Sequence, residues 1–200
     1  MKKNNLGFTL IELIVTLAVV SILLLTGVPM INQMLDNNRL VSEINSIAGS
    51  LSLARSESIK RGATVTVCGS SDGSTCDTAN WESGWIIFSD ANHNATLEST
   101  DTLLKVFAAF NGPSTLRLSR SDLTTRLQYR PNGSLRNQVS PDASDSDRGT
   151  FTLCEKAGGD TKKAKAINLN PLGRVSRAED TDTTKDQIVN DITGANVTCP

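Results

Sequence analysis

Two hundred residues with a formal net charge of −1 describe one domain with an appendage. That balance excludes a globally basic nucleic-acid binder, though not a local basic patch, and an aromatic content of 4% offers no base-stacking surface. One histidine and four cysteines without a CxxC pair exclude the usual zinc spacings, so no metal and no cofactor is expected.

The stretch GFTLIELIVTLAVVSILLLTGVP, residues 7–29, is almost wholly apolar yet carries Glu12. The 19 residues from Leu13 to Ile31 are uncharged, enough to cross a bilayer core as a helix. Lys2 and Lys3 precede them and should stay cytoplasmic, placing the rest outside. A cleaved secretory signal peptide fits less well, because no small-x-small site ends the run. A carboxylate at bilayer depth is costly and normally has a partner, so Glu12 reads as a functional residue. Beyond Pro29 a stripe follows at helical spacing: Leu40, Ile44, Ile47, Leu51 and Ala54. Gly62 supplies a stop, and Gly27 with Pro29 marks a weak point between the two halves.

After Gly62 short alternating segments predict strands over 63–67, 85–89, 103–107, 116–118, 127–130, 150–154 and 166–170, separated by turn residues as in antiparallel sheet. Residues 140–148 read as a polar loop. Cys68, Cys76, Cys154 and Cys199 all follow the apolar run, which indicates two disulfides in an oxidising compartment. Three pairings are possible. The favoured one joins Cys68 to Cys76 across a Gly/Ser-rich turn and Cys154 to Cys199 at the tail, the latter closing a loop worth roughly 4 kcal/mol in the chain-entropy model.

Gly7-Phe8-Thr9-Leu10-Ile11-Glu12 resembles the prepilin cleavage and methylation motif of type IV pilins and type II secretion pseudopilins; the short basic leader and Pro29 match too. The resemblance implies cleavage between Gly7 and Phe8 by a prepilin peptidase and N-methylation of Phe8. It also implies that Glu12 meets the positive amino terminus of a neighbouring subunit during assembly, pairing two charges each costly alone in hydrocarbon.

Later segments resemble the GspH/FimT/FimU group. They are Leu53-Ala54-Arg55-Ser56-Glu57-Ser58-Ile59, Trp81 with Gly84-Trp85-Ile86-Ile87-Phe88-Ser89-Asp90, Tyr129-Arg130-Pro131-Asn132-Gly133, residues 149–154 and residues 167–175. The implied fold class is α+β. A long N-terminal helix, transmembrane over about 8–31 and amphipathic over about 35–61, packs on a small antiparallel two-sheet β domain at 62–200, with 1–7 removed as leader. Trp81, Trp85 and Phe88 read as core.

Two stretches are candidate ligand sites. Residues 90–101 place oxygen-bearing side chains at calcium-loop positions. However, Ala95 stands where the turn glycine belongs and Asp101 where the bidentate glutamate does, so a solvated hairpin with His93 as a loop residue is the better reading. Gly173-Arg174-Val175-Ser176-Arg177 resembles the glycine-arginine-x-arginine motif with which DNA-uptake members of the group contact DNA, but two residues separate the arginines here. Lys162, Lys163 and Lys165 would enlarge that patch, whereas Glu179, Asp180, Asp182 and Asp186 follow at once. No nucleophile-base constellation or nucleotide loop is present, so no catalytic residue is assigned.

The expected function is that of a minor pilin in the priming or tip complex of a type IV pilus. The apolar stripe and Glu12 would make helix–helix contacts. The expected partners are other minor pilins, the major pilin, the prepilin peptidase and inner-membrane lipid, with the β domain periplasmic. Two alternatives stand: a minor pilin that binds double-stranded DNA for uptake, and a GspH-type pseudopilin of type II secretion.

Overall fold

The structure, a computed structural model, describes residues 9–119, 126–136 and 149–199. Gly7, Phe8 and the 140–148 loop lie outside them. The chain divides into two units, Met1–Arg39 and Leu40–Pro200.

The first unit contains the opening part of helix α1 (Leu10–Arg61). Thr9 caps it: its hydroxyl accepts the Glu12 N–H at 3.3 Å and its carbonyl accepts that of Leu13. Thr9 and Glu12 thus sit at the ends of a T-x-x-E capping sequence, with the carboxylate in the first turn where the helix dipole favours it. Leu10, Ile14, Leu17, Ile22, Leu25 and Ile31 are all exposed, so the apolar surface runs round the helix and not along one stripe. This helix is long and apolar enough to cross a membrane. Pro29 lies within α1 and has no N–H to give the carbonyl four residues back.

In the second unit the predicted stripe becomes the buried face of α1: Leu40, Ile44, Ile47, Leu51 and Ala54 all enter the main core. The stripe is thereby spent on the β domain, the packing expected of the amphipathic half of the helix, and not on helix–helix contacts. Gly62, at φ +61°, ends the helix; its N–H reaches the Ile59 carbonyl and that of Ala63 the Ser58 carbonyl. That is a Schellman cap. It uses up Gly62 and Ala63, which is why the first strand starts later than expected.

The strands are β1 (Val65–Gly69), β2 (Gly84–Ser89), β3 (Thr102–Ala108), β4 (Thr115–Ser119), β5 (Arg126–Tyr129), β6 (Leu135–Arg136), β7 (Gly149–Cys154), β8 (Lys165–Leu169) and β9 (Val175–Arg177). They form two antiparallel sheets, ordered β3-β2-β1-β5-β6 and β4-β7-β8-β9. One core takes the inner faces of both sheets and the helix stripe: Val65 and Val67, Trp85 and Ile87, Phe151 and Leu153, Ile167 and Leu169. The Trp81 and Phe151 rings meet edge to face, and Trp85 stacks on Phe107.

The outer faces are buried as well, so β1 and β7 are buried at every position instead of alternating. On the first sheet Cys68, Ile86 and Phe88 lie under Cys76 and Leu97. On the second Cys154, Ala166 and Ala178 lie under the tail residues Ile188, Val189, Val197 and Cys199. Disulfides Cys68–Cys76 and Cys154–Cys199, with Cα separations of 5.5 and 5.8 Å, clip each cover to its sheet.

Candidate functional site

Three of the sequence segments quoted above meet at Arg55. From α1 its Nε donates to the carbonyls of Gly133, at 3.1 Å, and Leu172, at 3.3 Å. Gly133 turns the chain between β5 and β6 in one sheet, and Leu172 lies in the turn between β8 and β9 of the other. The sheets also join directly there, since the Leu135 N–H donates to the Pro171 carbonyl at 3.0 Å. Beneath them Tyr129 is fully buried. Burial raises its phenol pKa, nearby Arg55 acting the other way, and its hydroxyl has no hydrogen-bond partner among the described residues. Gly173 is a close-packed turn residue there, with the Gly133 carbonyl and the Tyr129 ring standing where a Cβ would go.

The five candidate basic residues fall on three local features: a 3-10 turn, the β8–β9 turn and a groove. Lys162 and Lys163 lie on an exposed 3-10 turn (Thr161–Lys163) whose Asp160 cap accepts the Lys162 N–H, and Lys163 is paired with Glu155 at 3.4 Å. Arg174 is exposed in the β8–β9 turn, its backbone N–H held by Asn170. Lys165 and Arg177 come together on the helix-facing side of β8 and β9, lining a groove of about 380 Å³ against α1. Ile44 and Ala48 on the helix, with Ile167 and Val175 on the strands, make its apolar walls. Partial burial, then the Arg177 cation, lowers the pKa of Lys165. This groove gave no signal in the sequence, because α1 and the β8–β9 hairpin are more than a hundred residues apart.

The 90–101 loop differs from a solvated hairpin at its base. Asp90 is completely buried, and its carboxylate accepts the Thr66 hydroxyl, the Gln128 amide and the N–H groups of Asn94 and Ala95. Asp101 accepts the N–H groups of Ala91 and Glu98. Asp101 is spent on the loop itself and Asp90 on the loop and the strands beneath it, and His93 and Ala95 hold positive φ. Asp180, Asp182 and Asp186 bring oxygens within 4.8 Å of one another, but each likewise accepts an N–H of its own loop.

At the other end of the chain, Glu12 is exposed on the helix, next to the continuous apolar surface that follows it. A membrane-capable helix with an acidic first turn, joined to a two-sheet β domain, defines the class as pilin-like.

Known proteins agree. The family model described as type II transport protein GspH matches residues 43–173, and the prokaryotic N-terminal methylation motif matches residues 2–28. The chain belongs to the GspH family. Two crystal forms of the Pseudomonas aeruginosa type IV minor pilin FimU share its fold at 19% identity. The first superposes with a TM-score of 0.53 over 70% of this chain and 88% of FimU. The second gives 0.50 over 69% and 91%. No curated protein sequence matches the chain. The family match stops at Gly173, one residue before Arg174.

Proposed function

We propose that this chain is a minor pilin that enters the inner membrane through α1, with its β domain periplasmic, and assembles into the priming or tip complex of a type IV pilus. A prepilin peptidase would cut after Gly7 and methylate Phe8. One observation carries this: the first part of α1 exposes apolar side chains on every side, around Leu17, Ile22 and Leu25 as much as Leu10 and Ile14, a surface that only lipid or other apolar helices can cover. Glu12 lies in its first turn and would pair with the amino terminus of the neighbouring subunit, other pilins being the partners. Glu12→Leu is expected to abolish incorporation into filaments, scored by immunoblot of sheared filaments, while circular dichroism shows the β domain still folded. Normal incorporation of that variant would sink the assembly role.

Two other readings have an observation each. The family description names type II transport, which favours a pseudopilin serving protein export through the same helix chemistry. Arg177 and Lys165 have no acidic partner among the described residues, which favours a DNA-binding pilin gripping phosphate with Arg174, Arg177 and the lysines. Against that, Lys163 is paired with Glu155, and Arg174 does not line the groove. If DNA is bound, affinity must fall steeply with salt and drop further in Arg174→Ala/Arg177→Ala. No binding at low salt removes this alternative.

A further inference from the structure

The groove between α1 and β9 has three unmet requirements at one place. Its walls carry an apolar strip, from Ile44 and Ala48 across to Ile167 and Val175, with Asn45, Ser52 and Ser176 beside it. Lys165 and Arg177 line it together, and no acidic side chain among the described residues does. β9 is the end strand of its sheet, and its outer edge makes no backbone hydrogen bond among the described residues. A free strand edge takes an extended chain, an apolar wall takes apolar side chains, and two adjacent cations take a carboxylate. We propose that the groove receives an extended acidic segment of a neighbouring pilin subunit, added as a strand outside β9 with an Asp or Glu carboxylate between Lys165 and Arg177. This rests on the assembly function proposed above. A duplex would be a poor occupant, because its phosphates need a continuous basic track and here two cations stand over apolar walls.

The test uses the full chain in cells that also make the other pilins, with p-benzoylphenylalanine at Asn45, an exposed position lining the groove. Ultraviolet light is expected to join it to a second pilin, at a peptide that mass spectrometry shows to contain Asp or Glu. Lys165→Glu with Arg177→Glu should cut the yield about tenfold by placing like charges face to face. Gly49→Phe should do the same by filling the groove. A Cβ at Gly49 meets nothing within 4 Å, so the fold should keep its melting temperature. Lys165→Arg, which keeps the charge, should leave the yield within about twofold. The inference is overturned by an adduct to lipid or nucleic acid, or by an adduct to a peptide without acidic residues. A yield that neither the charge reversal nor Gly49→Phe moves overturns it too, as does incorporation into filaments without any adduct. A wild-type chain absent from filaments would instead remove the assembly function itself, and the inference with it.

Discussion

A Cβ at Gly173 would run into the Gly133 carbonyl and the Tyr129 ring, and its φ of +72° is one that side chains resist. Both penalties come from the place where Arg55 holds the two sheets' turns to the helix. Gly173→Ala should therefore destabilise the domain by about 2 kcal/mol or more. Gly158 has a similar φ of +62° but no neighbour within 4 Å, so Gly158→Ala should cost only about 1 kcal/mol. Thermal melting of the two variants separates crowding from conformation, and equal losses would show that the Gly133 contact is unimportant. Arg55 illustrates what residue patterns hide. It is one of two arginines near the end of α1, and nothing in its neighbourhood says that its partners lie 78 and 117 residues away.

The loop closed by Cys68–Cys76 is stiffened by carboxylates. Asp72 accepts the N–H groups of Ser74 and Thr75 at 2.7 and 2.8 Å and the Thr75 hydroxyl at 2.9 Å. These bonds, the Ser74 backbone first, hold its pKa far below the usual carboxylate range. The Ser71 hydroxyl and then its N–H lower that of Asp77. Because the folded pKa values are depressed, this support is complete above the unfolded value of about 4 and is lost only as pH falls toward the folded ones. The amide resonances of Ser74 and Thr75 should hold their positions at pH 4 and titrate well below it. Ordinary midpoints near 4 would refute the bracing, and Asp72→Asn should abolish the titration. Among elements, the helix stripe was legible because a period of 3–4 residues survives in any sequence that buries one face. The strands of 127–130 and 166–170 were placed to within a residue of β5 and β8. The two-residue β6 carries no period, and the three-residue β9 is equally short, only Val175 of it falling in the family-like segment 167–175, so neither was expected as a strand.

At the scale of the molecule, each sheet has a second buried face held down by a disulfide. Cys154–Cys199 is the larger clip, spanning 45 residues and keeping Val189 and Val197 over Ala166. Replacing both cysteines by alanine should cost about 4 kcal/mol in the chain-entropy model and lower the melting temperature by about 8–16 °C. Limited proteolysis should then cut first within 178–199. A tail that stays protected would show that its asparagine network, centred on buried Asn190, is sufficient. The sequence by itself determined the membrane-capable helix, the buried stripe, the sheet-rich remainder and the family, because these depend on local period, composition and short motifs. Only the tertiary structure decided that Asp90 is a buried anchor, that Arg55 joins both sheets and that Lys165 and Arg177 share a groove while the other cations do not. Those outcomes depend on which distant segments touch, and contact at long sequence separation leaves no periodic trace along the chain.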